Sequence, residues 1–319
     1  EQGEWLDRLE TEHDNLRAAL VHFEGSGEVE AELRLGGALW RFWHMRGYLS
    51  EGRRWLEGAL KRGSGASASV RAKALHGAGV LTYEQGDYGR ATELFEESLT
   101  LSQELGNKQG IAYSLNGLGD VTHFQGDYER AAELYEEGLA LCRELGDKPG
   151  IAMSISNLGE VAQHRGDWER ATALFEQSLT LWQDLGDKLG IAASLSGLGE
   201  VARHQGDLGR AVKLYEESLT LWQDLGHRWG IAECLEELAG MAGANEQPER
   251  AARLFGAAEA LCEAIGVPLV PADRADYDRD VAAVRAGLDE EAFETAWVEG
   301  RTMTLEQAIA YALKKTANG

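Results

Sequence analysis

The sequence predicts an all-α fold, a solenoid of stacked helix-turn-helix units, and three observations predict it. The chain copies itself every 40 residues: Gly86-Asp87, Gly126-Asp127, Gly166-Asp167 and Gly206-Asp207 each precede an Arg-Ala pair, at Arg90, Arg130, Arg170 and Arg210. Leu105-Gly106, Leu145-Gly146, Leu185-Gly186 and Leu225-Gly226 follow in the same register, and residues 151–190 align without a gap on 191–230. Between these signals apolar residues recur with the 3.6-residue period of a helix. A period of this size marks a repeat array, in which each unit buries its apolar face only against a neighbour.

Residues 4–24 read as one helix, with Trp5, Leu9, Leu16, Leu20 and Phe23 on a stripe. Residues 31–62 read as a degenerate repeat turning at Gly47-Tyr48, with Trp40, Trp43, Trp55 and Leu56 as core. Gly63-Ser64-Gly65-Ala66-Ser67 reads as a flexible joint. The regular array follows. In 111–150, Ala112, Leu115, Leu118, Gly119 and Thr122 form the buried stripe of a first helix. Gly126 can take the left-handed conformation that ends it, and Asp127 caps the next helix. That second helix turns Ala131, Leu134, Tyr135, Leu139 and Leu141 inward and stops at Gly146; Asp147 caps the following one, with Pro149 in its first turn. Beyond Pro268 and Pro271 the period is lost and three more helices are expected, the last opening at Thr304 with a Thr304/Gln307 capping box. The expectation is about sixteen helices and no strand. The divisions are 1–70 as N-terminal cap and degenerate repeat, 71–270 as five repeats, and 271–319 as capping helices. A four-stranded propeller blade shares the period but not the helical spacing; a HEAT array shares the length.

The chain has 319 residues and a formal net charge of −23, from 31 Lys and Arg against 54 Asp and Glu. Acids spread along the whole chain argue against nucleic-acid binding by this segment and against an anionic membrane surface. No apolar run spans a bilayer, and no signal peptide is visible. Cys142, Cys234 and Cys262 lack metal spacing, which predicts reduced thiols in a cytoplasmic protein. Cys142 and Cys262 stand where other repeats carry Trp182 and Trp222, a packing position. Because the chain opens on Glu1 rather than Met, a fragment of a longer protein is expected.

Small and large residues alternate in a fixed order that separates the helical repeat classes. Gly79, Gly119, Gly159 and Gly199 stand twelve residues before Ala91, Ala131, Ala171 and Ala211, and four residues further come Phe95, Tyr135, Phe175 and Tyr215. This spacing resembles the tetratricopeptide repeat in a long 40-residue variant, specifically over 71–250, with Ala239, Ala251 and Phe255 continuing it in a fifth copy. Thr122, Ala162 and Ala202 stand where the short form usually has tyrosine. The resemblance implies a right-handed superhelix whose first helices line a concave groove.

The flanks resemble a second, more specific family. Trp5-Leu6-Asp7-Arg8-Leu9-Glu10 and Glu12-His13-Asp14-Asn15-Leu16-Arg17-Ala18-Ala19-Leu20 are similar to the segment after the motor in bacterial signal-transduction ATPases of the STAND class. Ile265-Gly266-Val267-Pro268-Leu269 and the run Ala296-Trp297-Val298-Glu299-Gly300-Arg301 to Glu306 are similar to the end of the same arm, found also in LuxR-type, MalT-like transcriptional regulators. The resemblance implies a sensor arm that contacts an ATPase module absent from this chain. No G-x-x-x-x-G-K-[ST] loop is present, so no ATPase is assigned and no cofactor is expected.

The repeat alignment places Lys73, His76, Tyr83, Tyr113, Asn116, Asp120, His123, Phe124, Glu160, His164, Glu200, Arg203 and His204 along the groove. Tyr83, Tyr113 and Phe124 offer aromatic anchors beside Asn116 as a hydrogen-bonding partner, and the carboxylates Asp120, Glu160 and Glu200 favour a basic ligand. Asp120 is expected to face solvent. Glu160/His164 and Glu200/His204 form repeated i,i+4 pairs that could bracket a zinc ion, although an exact repeat copies any surface pair whether or not it binds. No Cys/His nucleophile pairing is visible. The reading is a non-catalytic regulatory module binding a protein, a peptide (a basic one suits the carboxylates) or a small inducer. The alternatives are a plain scaffold and a metal-dependent enzyme built on the groove Glu and His residues.

Overall fold

The computed structural model describes residues 2–266 and 274–314. Among the described residues there are seventeen helices and no strand, so the all-α expectation holds. The chain forms two compact units, Glu1–Gly190 and Ile191–Gly319.

The first unit opens with α1 (Gln2–Thr11) and α2 (His13–Ser26), where one helix was expected. The break lies at Glu12, with φ of −89° and ψ of 2°; Thr11 Oγ1 donates to the Asp7 carbonyl at 2.9 Å, but Thr92, Thr122 and Thr172 make the same back-bond inside unbroken helices, so that bond does not explain it. His13, just past the break, is then buried between the Phe42 and Tyr48 rings and the Glu51 carboxylate. The degenerate repeat is α3 (Val29–Arg46) and α4 (Leu49–Arg62), joined at Gly47 with φ of 75°. Trp43, Trp55 and Leu56 are buried there, while Trp40 is half-buried against Gly77. The joint expected to be flexible is a tied turn: Arg71 donates to the carbonyls of Leu60 and Gly63, and Ser67 bonds the Glu30 carboxylate. No sequence pattern announces Arg71 as the tie, because its bonds go to backbone.

The regular pairs of this unit are α5 (Ala68–Glu84) with α6 (Tyr88–Glu104), α7 (Lys108–Phe124) with α8 (Tyr128–Leu145), and α9 (Lys148–His164) with α10 (Trp168–Leu185). Asp87, Asp127 and Asp167 each accept from the backbone N–H three residues on, as do Asn107 and Asp147 at the joints, so every regular helix of this unit after α5 is capped by a side chain; Ser67 makes no such bond at α5. Gly126 adopts φ of 83° and Gly146 φ of 67°, closing the preceding helices.

Packing inside a repeat is aromatic on glycine. A Cβ at Gly119 would stand 2.5 Å from Tyr135, and one at Gly79 2.6 Å from Phe95. Between repeats the same logic recurs: Cys142 and Trp182 pack on Gly150 and Gly190, so Cys142 does fill a packing position. Ala131 and Ala171 are fully buried, and Ala131 lies in one cluster with Tyr135, Leu139, Ile155, Leu158 and Val161. Ala131→Leu is therefore expected to overpack this layer at a cost of about 1–3 kcal/mol, read as a lowered denaturation midpoint. An unchanged midpoint would contradict the packing described.

The second unit comprises α11 (Lys188–His204) from Ile191 onward, α12 (Leu208–Leu225), α13 (Arg228–Ala244) and α14 (Pro248–Ile265), then α15 (Arg274–Ala286), α16 (Glu290–Arg301) and α17 (Leu305–Ala312). The three closing helices match the expectation, and Thr304 and Gln307 form the capping box. Residues 267–273, part of the flanking motif, lie outside the described residues. The α14–α16 crossing is built on Gly256 and Gly300: a Cβ on either would strike backbone of the other helix. Trp297 Nε1 donates to Glu259 at 2.9 Å, and Arg301 pairs with Glu259 and Glu263 across the same crossing. Helix α15 lies on α13, with Asp280 over Gly240 and Val284 over Gly243, and Tyr277 meets Phe255 edge-on at 5.3 Å. No helix among the described residues is long and apolar enough to cross a membrane.

Candidate functional site

In the first unit, equivalent positions of α5, α7 and α9 bring the expected groove residues to one face. At its centre Asp120, from α7, is held rather than free. Tyr135 Oη donates to its Oδ1 at 2.8 Å and Asn157 Nδ2 to the same oxygen at 2.9 Å. The side chain is half-buried, which corrects the expectation that it faces solvent. Burial pushes its carboxyl up to about 7; the Tyr135 hydrogen bond opposes that rise and the Glu84 charge adds to it.

Around Asp120 stand two aromatic groups. Tyr83, Tyr88 and Phe124 cluster with centroids 4.4–6.0 Å apart, and burial raises the Tyr83 phenol well above its ordinary value. His123 meets His164 edge-on at 4.7 Å, and His164 stacks on Tyr128 at 5.3 Å. Burial, then the neighbouring His164, lowers His123 to about 4, leaving it a neutral ring at pH 7. Its Nδ1 lies 3.8 Å from Glu160, whose residue is exposed.

Towards the opposite ends of the same helices the groove changes character. Lys73 is exposed, and His76 packs edge-on against Trp40 at 5.7 Å and lies 6.1 Å from Tyr113. Burial, helped by the charge of Arg41, lowers the His76 imidazole to about 4. Tyr113 Oη donates to Asp147 Oδ2 at 3.1 Å; burial, reinforced by that carboxylate, pushes the phenol up to about 12.

Asn116 does not belong to this face. It is 1% exposed and its amide donates to Ser154 Oγ at 3.0 Å, inside the packing of α7, α8 and α9. Gly138 on α8 leaves the room: a Cβ there would stand 2.9 Å from Asn116 Oδ1. The amide on the groove is instead Asn157, which sequence reasoning missed. Its signal is visible in retrospect, because the equivalent position in other repeats holds Gly77, Gly117 and Gly197.

In the second unit, Glu200 and His204 approach to 3.8 Å. Arg203 is half-buried and engaged by acids of its own unit, Glu237 at 3.1 Å and Asp280 at 3.7 Å. Because α15 supplies Asp280 and covers Gly240 and Gly243, this part of the expected groove is occupied by the chain itself. Three or more His, Cys, Asp or Glu gathered as for a metal ion are not found among the described residues.

Comparison with curated protein sequences returns no match. Solved structures share the fold. A Rap protein complexed with competence and sporulation factor is 14% identical, with a TM-score of 0.64 covering 87% of this chain and 76% of that one. NprR in complex with its cognate peptide NprX is 17% identical, with a TM-score of 0.62 over 92% of this chain and 86% of that one. The Rap conjugation gene regulator of plasmid pLS20, in complex with the Phr* peptide, is 14% identical, with a TM-score of 0.60 over 85% and 77%. At such identities the likeness is one of fold. The family description of the tetratricopeptide repeat matches residues 70–144, 150–224 and 190–264, more than half of the sequence. With the glycine–aromatic packing and capped helix pairs described above, the chain belongs to the tetratricopeptide-repeat family.

Proposed function

We propose that the chain is a non-catalytic, peptide-binding regulatory module whose ligand lies on the concave face of the first unit. The observation that carries this reading is the recessed carboxyl of Asp120, oriented by Tyr135 and Asn157. A cationic ligand group placed there gains a charge-assisted hydrogen bond in partly desolvated surroundings, with Glu160 near enough to share the charge. Tyr83, Tyr88 and Phe124 supply rigid aromatic surface beside it. The solved structures of like fold support the reading, since each holds a complex with a peptide or a factor. The flanking motifs support a place for the module as the sensor arm of a STAND-class or LuxR-type regulator, where ligand acts by favouring one of two states of the whole protein.

The test is titration of the chain with a pool of hexapeptides that begin with arginine. Binding is expected to weaken at least tenfold in the Asp120→Ala/Glu160→Ala variant, with the helical circular-dichroism signal kept. It should also weaken with added salt. Equal affinity for parent and variant would place the ligand elsewhere.

A further inference from the structure

The acidic centre is only one end of this face. Arg41, Val80, Asp120 and Glu160 each stand six residues before the left-handed glycine that follows their helix: Gly47, Gly86, Gly126 and Gly166. They form one row across α3, α5, α7 and α9, and along that row the charge changes sign. Arg41 and Lys73 are both exposed, and neither forms an ion pair among the described residues. On the neighbouring helices and turns Arg17, Arg46, Arg53, Arg62 and Arg71 are paired with carboxylates, so Arg41 and Lys73 are the cations that this face leaves to a ligand.

Arg41 lies over the Trp40 ring at 5.4 Å, which leaves its guanidinium fork available while fixing its plane. The Lys73 stem runs against Gly37, where a Cβ would stand 3.7 Å from Lys73 Cγ. Beneath them His76 is kept neutral, and its Nδ1 is buried without a hydrogen-bond partner. Gly37, on which the Lys73 stem lies, stands one helical turn before Arg41, and the Arg41 charge reaches His76; two cations on adjacent helices beside an uncharged ring suit an anion, and a planar carboxylate suits the guanidinium best.

We infer that the concave face of the first unit is bipolar and takes a short peptide with a carboxylate on Arg41 and Lys73 and a cationic group on Asp120 and Glu160. The inference rests on the peptide-binding reading above and adds direction and length to it. Neighbouring packed helices stand about 8–10 Å apart, so two intervals from α3 to α7 span roughly 20 Å. An extended chain advances about 3.3–3.6 Å per residue, so the two charges sit about five residues apart, as at the two ends of a hexapeptide. Val80 and Tyr113 border the span between them, which calls for apolar side chains in the middle of the ligand. The carboxylate can be the C-terminus or an acidic side chain.

Three hexapeptide pools separate these cases, each with arginine first and apolar residues in the middle. One ends as a free acid, one as an amide, and one as an amide with glutamate in the sixth position. Binding to the parent is expected to be at least tenfold tighter for a carboxylate-bearing pool than for the neutral amide. Preference for the free acid identifies the terminus as the source, and preference for the glutamate pool identifies a side chain. Either advantage should vanish in Arg41→Gln/Lys73→Gln, whose circular dichroism should match the parent because both residues are exposed. If all three pools bind alike and only Asp120→Ala/Glu160→Ala weakens them, the peptide-binding reading stands and the bipolar one is overturned. If no pool binds, both fall.

Discussion

Gly300→Ala is expected to cost about 3 kcal/mol or more, an unusually large effect for the addition of one methyl group. The added Cβ would fall on the Arg253 carbonyl of α14, and Gly256 gives the reciprocal contact with the Trp297 carbonyl. Neither obstacle is a flexible side-chain tip. The two helices would have to separate, loosening Trp297 and Arg301 from Glu259 and Glu263. Gly89→Ala is the control, because nothing lies within 4 Å of a Cβ there and the position is helical. Alanine should be neutral or stabilise by up to about 1 kcal/mol. Denaturant titration of both variants decides the matter: a Gly300→Ala midpoint equal to that of Gly89→Ala would mean the crossing is not as close as described.

Asp120→Asn is expected to stabilise the protein at pH 8 and to leave it unchanged at pH 4. The carboxyl has an ordinary value of 3.8 and is raised to about 7 in the fold, so between these values the folded chain holds a proton that the unfolded chain has lost. Stability contributed by that proton is complete below about pH 4, falls as pH rises through the interval, and is gone above about 7. Three units correspond to at most about 4 kcal/mol; partial exposure of Asp120 reduces the realistic figure to about 1–2 kcal/mol. Asparagine keeps an acceptor for Tyr135 and Asn157 while removing the charge. Melting temperatures at the two pH values are the measurement, with about 2–4 °C expected per kcal/mol. A variant less stable than the parent at pH 8 would show that the charge is well solvated. Under the proposed function the same change weakens a cationic ligand, so stability and binding should move in opposite directions.

The parts of the fold that the sequence makes legible are those repeated by it. Ala131 and Tyr135, or Gly119 and Asp127, recur at 40-residue intervals because each solves one local packing or capping problem, and the solution is copied with the unit. What the period hides is whatever a single repeat does differently. Asn116 sits at a groove-lining register, yet the missing side chain of Gly138 draws it inward. Asn157 interrupts a column of glycines and so reaches Asp120. The break at Glu12 leaves no mark in an apolar stripe that runs through it. The seating of α15 depends on contacts between segments about 40 residues apart and on no periodic signal, so only its existence was legible. For the candidate site, the repeat alignment gave the residues of this face and its acidic row, but neither the half-burial of Asp120 nor the two donors that hold it.

The seat of α15 also bears on how such a chain can grow. Gly240 and Gly243 are the only repeat of their column with two glycines: the corresponding pairs are Val80 and Tyr83, Asp120 and His123, Glu160 and Gln163, and Glu200 and Arg203. The seat of α15 is thus written into one copy alone. A duplication that inserts a further 40-residue unit upstream, among the copies at 151–230, which agree at 26 of 40 positions, leaves that seat intact. A duplication that reaches into 231–250 would create a second seat with no helix to fill it. A 40-residue unit added in the middle of the array therefore leaves the seat of α15 unchanged.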